Sequence, residues 1–391
     1  MKTLKDLQLA GKKVLVRVDF NVPMNDAGQI TDDLRIRAAL PTLRYLIEAK
    51  ARVIICTHMG RPKGQRVDKY SLAPVAALTA QMLGQPVPLA PDCIGPKAVE
   101  AVSALGDGEC LMLENLRFYP HEEKNDPEFS RDLASLAEVY INDAFAVSHR
   151  AHASVVGVVA FFKEKAAGLL LQNEIEYFHR SFDAPQRPLV AIIGGAKVSG
   201  KLEALQNMLS RVDRMILGGA MANTFLKCLG YAVGASKVED DLLDSAAAIL
   251  RQAKEKGIKV YLPVDVIAAD RFAPDAICKQ VTVQDIPESW MALDIGPASV
   301  ICFNEALADA KTIVWNGPMG AFEMPAFARG TMAIAHTVAA SHALSVTGGG
   351  DSNAAIKLSG ESANISYMST GGGAFLELME GKQLPGILAL D

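Results

Sequence analysis

Leu189-Val-Ala-Ile-Ile-Gly-Gly-Ala-Lys-Val-Ser-Gly-Lys201 decides how this chain folds. Five apolar residues, too few for a helix, stop at two glycines and continue into a loop with two lysines. A short apolar run closed by such punctuation reads as a strand buried on both faces. The same device recurs along the 391 residues. Val14–Val18, Val53–Cys56, Cys110–Leu113, Val139–Ile141, Met215–Leu217, Val260–Leu262, Ile313–Trp315 and Leu344–Val346 are runs of the same kind. Between many of them the apolar spacing is helical, over Arg37–Ala49, Leu72–Leu83, Lys201–Leu209 and Leu242–Lys256. Strands alternating with helices predict right-handed βαβ units and parallel sheets. The fold class is therefore α/β.

The residues just past each strand are not of ordinary turn composition. After the first four come Asp19 and Asn21, then His58 and Arg61, then Glu114, Asn115 and Arg117, then Asn142-Asp143. Later strands lead into Gly194-Gly195-Ala196-Lys197, Gly218-Gly219, Asp265, Asn316-Gly317-Pro318 and Gly348-Gly349-Gly350-Asp351. Ligands of open α/β sheets bind beyond the carboxyl ends of the strands, so a site is expected there. The loops differ between the halves. Before about residue 150 they carry Arg35, His58, Arg61, Arg117 and Arg150, a set suited to a small polyanion. After Pro188 they carry glycines, Lys197, Lys201 and Asp351, a set suited to a nucleotide.

A second glycine triplet, Gly371-Gly372-Gly373, precedes the helical run Ala374–Lys382. Consecutive glycines leave backbone N–H groups open to an anion, and a following helix adds its positive end. Asp351 closes the first triplet with a carboxylate, a hard ligand suited to Mg²⁺. Gly195-Ala-Lys-Val-Ser-Gly-Lys201 fits G-x-x-x-x-G-K, but Leu202 stands where a P-loop needs a hydroxyl for the metal. A P-loop NTPase is disfavoured. A helix starting near Val198 would put Lys197 and Lys201 on one face at its N-terminus.

Bulk properties exclude several classes. The length predicts about two domains, with a linker expected at Asp183–Pro188. Half of the residues are hydrophobic and 21% are charged, which disfavours disorder. A net charge of -5 gives no global attraction for nucleic acid or an acidic membrane. The six cysteines are scattered without metal or disulfide spacing, as expected of a cytosolic chain. Met1–Lys13 does not read as a signal peptide, and no apolar run is long enough to span a bilayer.

Arg17-Val-Asp-Phe-Asn-Val-Pro23 closely resembles the opening signature of the phosphoglycerate kinase family. His58-Met-Gly-Arg61, Glu114-Asn-Leu-Arg-Phe118, His149-Arg-Ala-His-Ala-Ser154, Gly194-Gly-Ala-Lys197, Trp315-Asn-Gly-Pro-Met-Gly320, Gly348-Gly-Gly-Asp351 and Ser369-Thr-Gly-Gly-Gly-Ala374 extend the resemblance over nearly the whole chain. It implies two Rossmann-like domains, each a parallel sheet flanked by helices, joined by a hinge helix with a cleft between them. An N-terminal domain, 1–182, would hold phosphoglycerate, and a C-terminal domain, 188–375, would hold Mg-nucleotide. A tail, 384–391, would return to the first domain.

The reaction so implied is reversible phosphoryl transfer from 1,3-bisphosphoglycerate to ADP, a step of glycolysis, with Mg²⁺ as cofactor. Partners would be these small molecules alone, with no nucleic acid or membrane, in a cytoplasmic monomer. By resemblance, Asp19, Phe20, Asn21, Arg35, His58, Met59, Gly60, Arg61, Arg117 and Arg150 line the acid's site. Gly195, Ala196, Lys197, Lys201, Gly218, Gly219, Leu293, Asn316, Glu323, Gly349, Gly350, Asp351 and Ser352 surround the nucleotide, with Asp351 on the metal. Arg35, Lys201 and the N–H groups of Gly371, Gly372 and Gly373 are expected to meet the transferring group. Departures are conservative: Ala146-Val147-Ser148 replaces the commoner Gly-Thr-Ala, Ala220 a third glycine, and Ser352 a threonine.

Overall fold

The computed structural model describes residues 1–391. Their contacts divide the chain into two units, Met1–Ile175 with Gln383–Asp391, and Glu176–Lys382. The division falls a few residues ahead of the linker expected from composition.

The first unit is built on strands β1 (Lys13–Val18), β2 (Arg52–Cys56), β3 (Cys110–Met112), β4 (Val139–Asp143) and β5 (Glu164–Ala167). They form one sheet in the order β3-β2-β1-β4-β5, with every pairing parallel. Helices α1 (Leu34–Glu48), α2 (Ala73–Leu83), α3 (Gly95–Ser103), α4 (Pro120–Glu123) and α5 (Pro127–Ala134) connect the strands. Val16 lies opposite Ile55 on one side and Ile141 on the other, all three fully buried. Burial on both faces explains why these strands read as unbroken apolar runs. Edge strand β5, Glu-Lys-Ala-Ala, carries no such run; its Glu164 pairs with Lys12. Helix α6 (Leu169–Phe178) leads out of this unit and continues as a wider turn over His179–Asp183.

In the second unit, strands β6 (Leu189–Ile193), β7 (Arg214–Leu217) and β8 (Lys259–Tyr261) lie on one side of the main sheet. A smaller sheet follows in the chain, made of β9 (Asp265–Ala269), β10 (Cys278–Thr282) and β11 (Met291–Ile295). Strands β12 (Thr312–Asn316), β13 (Leu344–Gly348) and β14 (Tyr367–Met368) complete the main sheet. Its order is β14-β13-β12-β6-β7-β8, parallel throughout. Helices α7 (Leu202–Met208), α8 (Met221–Cys228), α9 (Leu243–Glu255), α10 (Pro297–Leu307), α11 (Arg329–Ala340), α12 (Gly350–Ser359) and α13 (Gly372–Met379) belong to this unit. Trp315, fully buried, packs into its core, as expected of a tryptophan in an apolar strand.

The small sheet, ordered β10-β9-β11 and antiparallel, is an addition to the parallel pattern read from the sequence. Strand β10, Cys-Lys-Gln-Val-Thr, is largely exposed and has no apolar run to reveal it. Asp265 opens β9 rather than ending a strand. Its carboxylate accepts the N–H groups of Ala298 and Ser299, capping α10. Helix α7 also begins later than expected, at Leu202, so Lys197 and Lys201 do not share a helix face.

The C-terminal segment forms α14 (Pro385–Leu388) against the first unit. Gly386 N–H donates to Ser148 O at 2.8 Å, Asn142 Nδ2 donates to Gly386 O at 3.1 Å, and Lys165 Nζ donates to Ala389 O at 2.8 Å.

Candidate active site

Each main sheet reverses its strand order once. In the first unit the reversal falls between β1 and β4, and in the second between β6 and β12. Open α/β sheets bind ligands at such points, beyond the carboxyl ends.

At the first point, β1 leads into Asp19 and α1 begins with Leu34-Arg35. The Arg35 guanidinium donates to Asp19 Oδ2 at 2.6 Å and to Asn21 O at 3.2 Å. Asn21 Oδ1 accepts Gly60 N–H at 2.9 Å, and Arg117 Nη1 donates to Gly60 O at 2.8 Å. Asp19, Asn21, Arg35, Gly60 and Arg117 are therefore one bonded group drawn from three strand-end loops and the start of α1. Gly60 is at φ +59°, and a Cβ there would overlap the Tyr70 ring, so the turn accepts only glycine. Arg61 is exposed, and Arg150 Nε lies 3.2 Å from His149 Nε2. Phe20, His58 and Met59 lie beneath this layer. Phe20 is fully buried and its N–H donates to Thr57 Oγ1, while Met59 N–H donates to Asn115 Oδ1.

Under the guanidinium layer runs a buried polar chain. Arg17, fully buried, donates from Nε to Ser154 Oγ at 2.7 Å, and its Nη2 lies 3.3 Å from His58 Nδ1. Ser154 Oγ in turn donates to the buried Glu122 carboxylate, which also accepts Ser154 N–H at 2.9 Å. Burial pushes the Glu122 carboxyl up, outweighing the opposing pull of Arg17. Burial, then the charge of Arg17 and the neighbouring arginines, drives His58 well below the usual histidine range. His149 is lowered and His152 falls to about 4, in each case first by burial. The imidazoles here are neutral at pH 7, and the positive charge comes from guanidiniums. His58 thus does not add the cation that its place in the sequence suggested. Sequence reasoning missed Arg17, Glu122 and Ser154 as site residues. The available signal was a charged residue inside the apolar run Val14–Val18.

At the second point, Lys201 closes the loop from β6. Its ammonium donates to Gly194 O and, at 2.9 Å, to Asn316 O, the carbonyls at the ends of β6 and β12. Burial brings its pKa down to about 8, with Asp351 opposing the shift. Gly317 is at φ +96°, and a Cβ there would overlap Gly194 O and Lys201 Nζ. Gly349 is also in the left-handed region, and a Cβ on Gly372 would stand 3.2 Å from Gly349 Cα. The two glycine clusters are thus backbone to backbone. Asp351 is exposed in the first turn of α12. The Ser352 hydroxyl is engaged, accepting Gly317 N–H at 2.6 Å and donating to Gly348 O at 3.0 Å.

Gly219, Ala222, Leu293 and Met319 line a small pocket beside this loop. Gly218 is buried against Met319, Gly195 is half-buried, and Ala196, Lys197, Glu323, Gly350 and Gly373 are exposed. No cluster of three or more His, Cys, Asp or Glu side chains forms a self-contained metal site. A divalent ion would need Asp351 plus oxygens brought by a ligand. A single exposed carboxylate beside open glycine N–H groups has the hard-oxygen chemistry Mg²⁺ requires.

Two doubly wound sheets, one with guanidiniums and the other with a lysine and glycine-rich loops at its switch point, define an α/β enzyme that handles phosphorylated small molecules. Residues 4–382 match the sequence profile described as "Phosphoglycerate kinase". A phosphoglycerate kinase of Desulfotalea psychrophila is 66% identical over 391 residues, covering 100% of both chains. That of Geobacter metallireducens is 58% identical over 383 residues, covering 98% of this chain and 96% of its own. Among solved structures, phosphoglycerate kinase from Coxiella burnetii superposes with a TM-score of 0.91 at 43% identity, covering 100% of this chain and 98% of that one. The enzyme from Pyrococcus horikoshii gives 0.87 at 34% identity, with the same coverage. The chain belongs to the phosphoglycerate kinase family. Its activity is phosphoryl transfer with a carboxyl group as acceptor, a glycolytic step.

Proposed function

We propose that the two switch points divide this reaction: the first unit holds 3-phosphoglycerate or 1,3-bisphosphoglycerate, and the second holds ADP or ATP with Mg²⁺. The observation that supports this is the placement of Lys201, whose ammonium sits among carbonyls where β6 and β12 diverge. Arg35, Arg61, Arg117 and Arg150 bind and orient the phosphorylated acid. Lys201, Lys197 and the N–H groups of Ala196, Gly372 and Gly373 orient the nucleotide phosphates, whereas Gly195 N–H and Gly371 N–H are already donated, to Pro318 O and Ser369 Oγ. Gly219 and Leu293 lie around the nucleotide, and Glu323 contacts the ribose. Asp351 holds Mg²⁺, which when bound supplies charge neutralisation on the phosphates.

The acceptor oxygen belongs to a carboxylate, a group that ordinarily titrates near pH ~4 and is already ionised at neutral pH. No side chain has to remove a proton. The remaining task is alignment and stabilisation of charge on the transferring group. Arg35 and Lys201 share it. The acyl phosphate must also be kept from water, so transfer requires a site from which solvent is excluded. The six cysteines are unpaired thiols, which supports a reducing cytoplasm as its setting, and the chain acts there as a monomer.

Calorimetry of Mg-ADP binding to Asp351→Ala tests the assignment. Weakened binding supports it, and wild-type affinity overturns the metal role. A coupled assay with 3-phosphoglycerate and ATP tests turnover.

A further inference from the structure

The loop from β6 to α7, residues 194–201, has few backbone bonds of its own. Gly195 N–H donates to Pro318 O and Lys201 N–H to Val198 O. Two of the amides between them turn elsewhere. Val198 N–H and Ser199 N–H both donate to Glu239 Oε2, the second at 3.1 Å, and the Ser199 hydroxyl donates to Glu239 Oε1. Glu239 is itself tied down: its N–H donates at 3.1 Å to Oγ1 of Thr224, a buried residue of α8. Burial works to raise the Glu239 pKa, but the bonds from Ser199 and Val198 and the charge of Lys197 hold it below the ordinary value. The group is an anion at neutral pH.

A solvated surface glutamate does not collect three donors from one short loop. Resting on the reading of the second unit as the nucleotide site, we propose that Glu239 is a positioning residue. It locks the loop to α8 so that Lys197 and Lys201 stand ready for the nucleotide phosphates. A loop containing Gly194, Gly195 and Gly200 loses much conformational freedom when it is ordered. A clamp formed before binding removes that cost from the binding step. The contribution belongs to nucleotide affinity and leaves phosphoglycerate binding on the other unit untouched.

The test uses the full-length enzyme. Glu239→Ala raises KM for Mg-ADP roughly tenfold, the factor corresponding to ~1.4 kcal/mol, while KM for phosphoglycerate stays at the wild-type value. Ser199→Ala removes only the hydroxyl bond and gives a smaller rise in the same parameter. An unchanged or lowered nucleotide KM, in a variant with wild-type circular dichroism and wild-type phosphoglycerate KM, overturns the proposal. Lowering would mean that the carboxylate repels the phosphates instead. If Glu239→Ala does not fold, Glu239→Gln, which keeps an acceptor oxygen but loses the charge, carries the same comparison. Lys201→Ala separates the two readings. If it binds Mg-ADP as the wild type does, the nucleotide site is misassigned. If it loses binding while Glu239→Ala does not, only the clamp fails.

Discussion

Arg35 reaches across the end of the first unit's sheet to Asp19, Nη1 to Oδ2 at 2.6 Å. The carboxylate is 7% exposed and the guanidinium 36%, so the acid anchors from below while the cation keeps an open face. The bond fixes the arginine's direction without using up all five of its N–H donors.

Arg35→Ala removes a contact assigned to the transferring phosphoryl group. Loss of one such contact typically costs ~2.7–4 kcal/mol, or about 10²–10³ in rate. Steady-state kinetics should show kcat falling far more than KM for 3-phosphoglycerate rises. An unchanged kcat would remove Arg35 from that role.

Lys201 has a pKa of about 8 because burial disfavours its charged form. Phosphates arriving beside it favour the ammonium and raise that value. Near pH 8, nucleotide binding should therefore draw in a fraction of a proton. Calorimetry in buffers of different ionisation enthalpy reads this as a buffer-dependent heat. As pH climbs past 8, affinity should fall. A heat independent of buffer would contradict the coupling.

Gly317→Ala places a methyl group against Gly194 O and Lys201 Nζ at a backbone angle of +96° that side chains rarely adopt. Strain of this kind costs about 1–3 kcal/mol. Thermal unfolding should show the loss, and Mg-nucleotide binding should weaken with it. Wild-type affinity in this variant would mean that Lys201 need not sit where it does.

Removing residues 384–391 strips two buried leucines, Leu384 at 1% and Leu390 at 2% exposure, from the first unit. Full burial of a leucine stabilises by roughly 1.5–3 kcal/mol. Together with the bond from Gly386 to Ser148, the loss should reach several kcal/mol by urea unfolding. A midpoint unchanged from the intact chain would show the tail to be dispensable for stability.

Asp143, fully buried at the end of β4, is pushed up to about 7 by burial, against hydrogen bonds from Thr42 and Leu171. Its folded pKa lies above the unfolded one, so its contribution is fully present below the unfolded value of about 4 and is lost as pH rises through the folded value. Asp143→Asn, neutral throughout, should gain stability relative to wild type over that window. Denaturation at pH 4 and pH 8 would show the difference growing with pH. A constant difference would mean that the carboxyl titrates alike in the folded and the unfolded chain.

Much of the site was legible because strand ends leave a local mark. Asp19 directly follows an apolar run, and Arg117, Lys201 and the glycines of 348–350 lie in the loops that such runs lead into, so spacing places them at the carboxyl ends of strands. Glu239 carries no such mark. It lies in a polar stretch after α8, and only the folded chain brings it to Val198 and Ser199. Arg17 hides the opposite way, inside a strand whose apolar pattern absorbs it. Strand β10 was illegible because pairing with β9, not an apolar face, makes it a strand.

By itself the sequence determined that this is an α/β chain with polar, glycine-rich loops at its strand ends, because burial period and glycine placement are properties of neighbouring residues. Only the tertiary structure decided which of those groups keep their charge. His58 is neutral and Lys201 is lowered because burial and nearby cations act through space, between residues far apart in the chain.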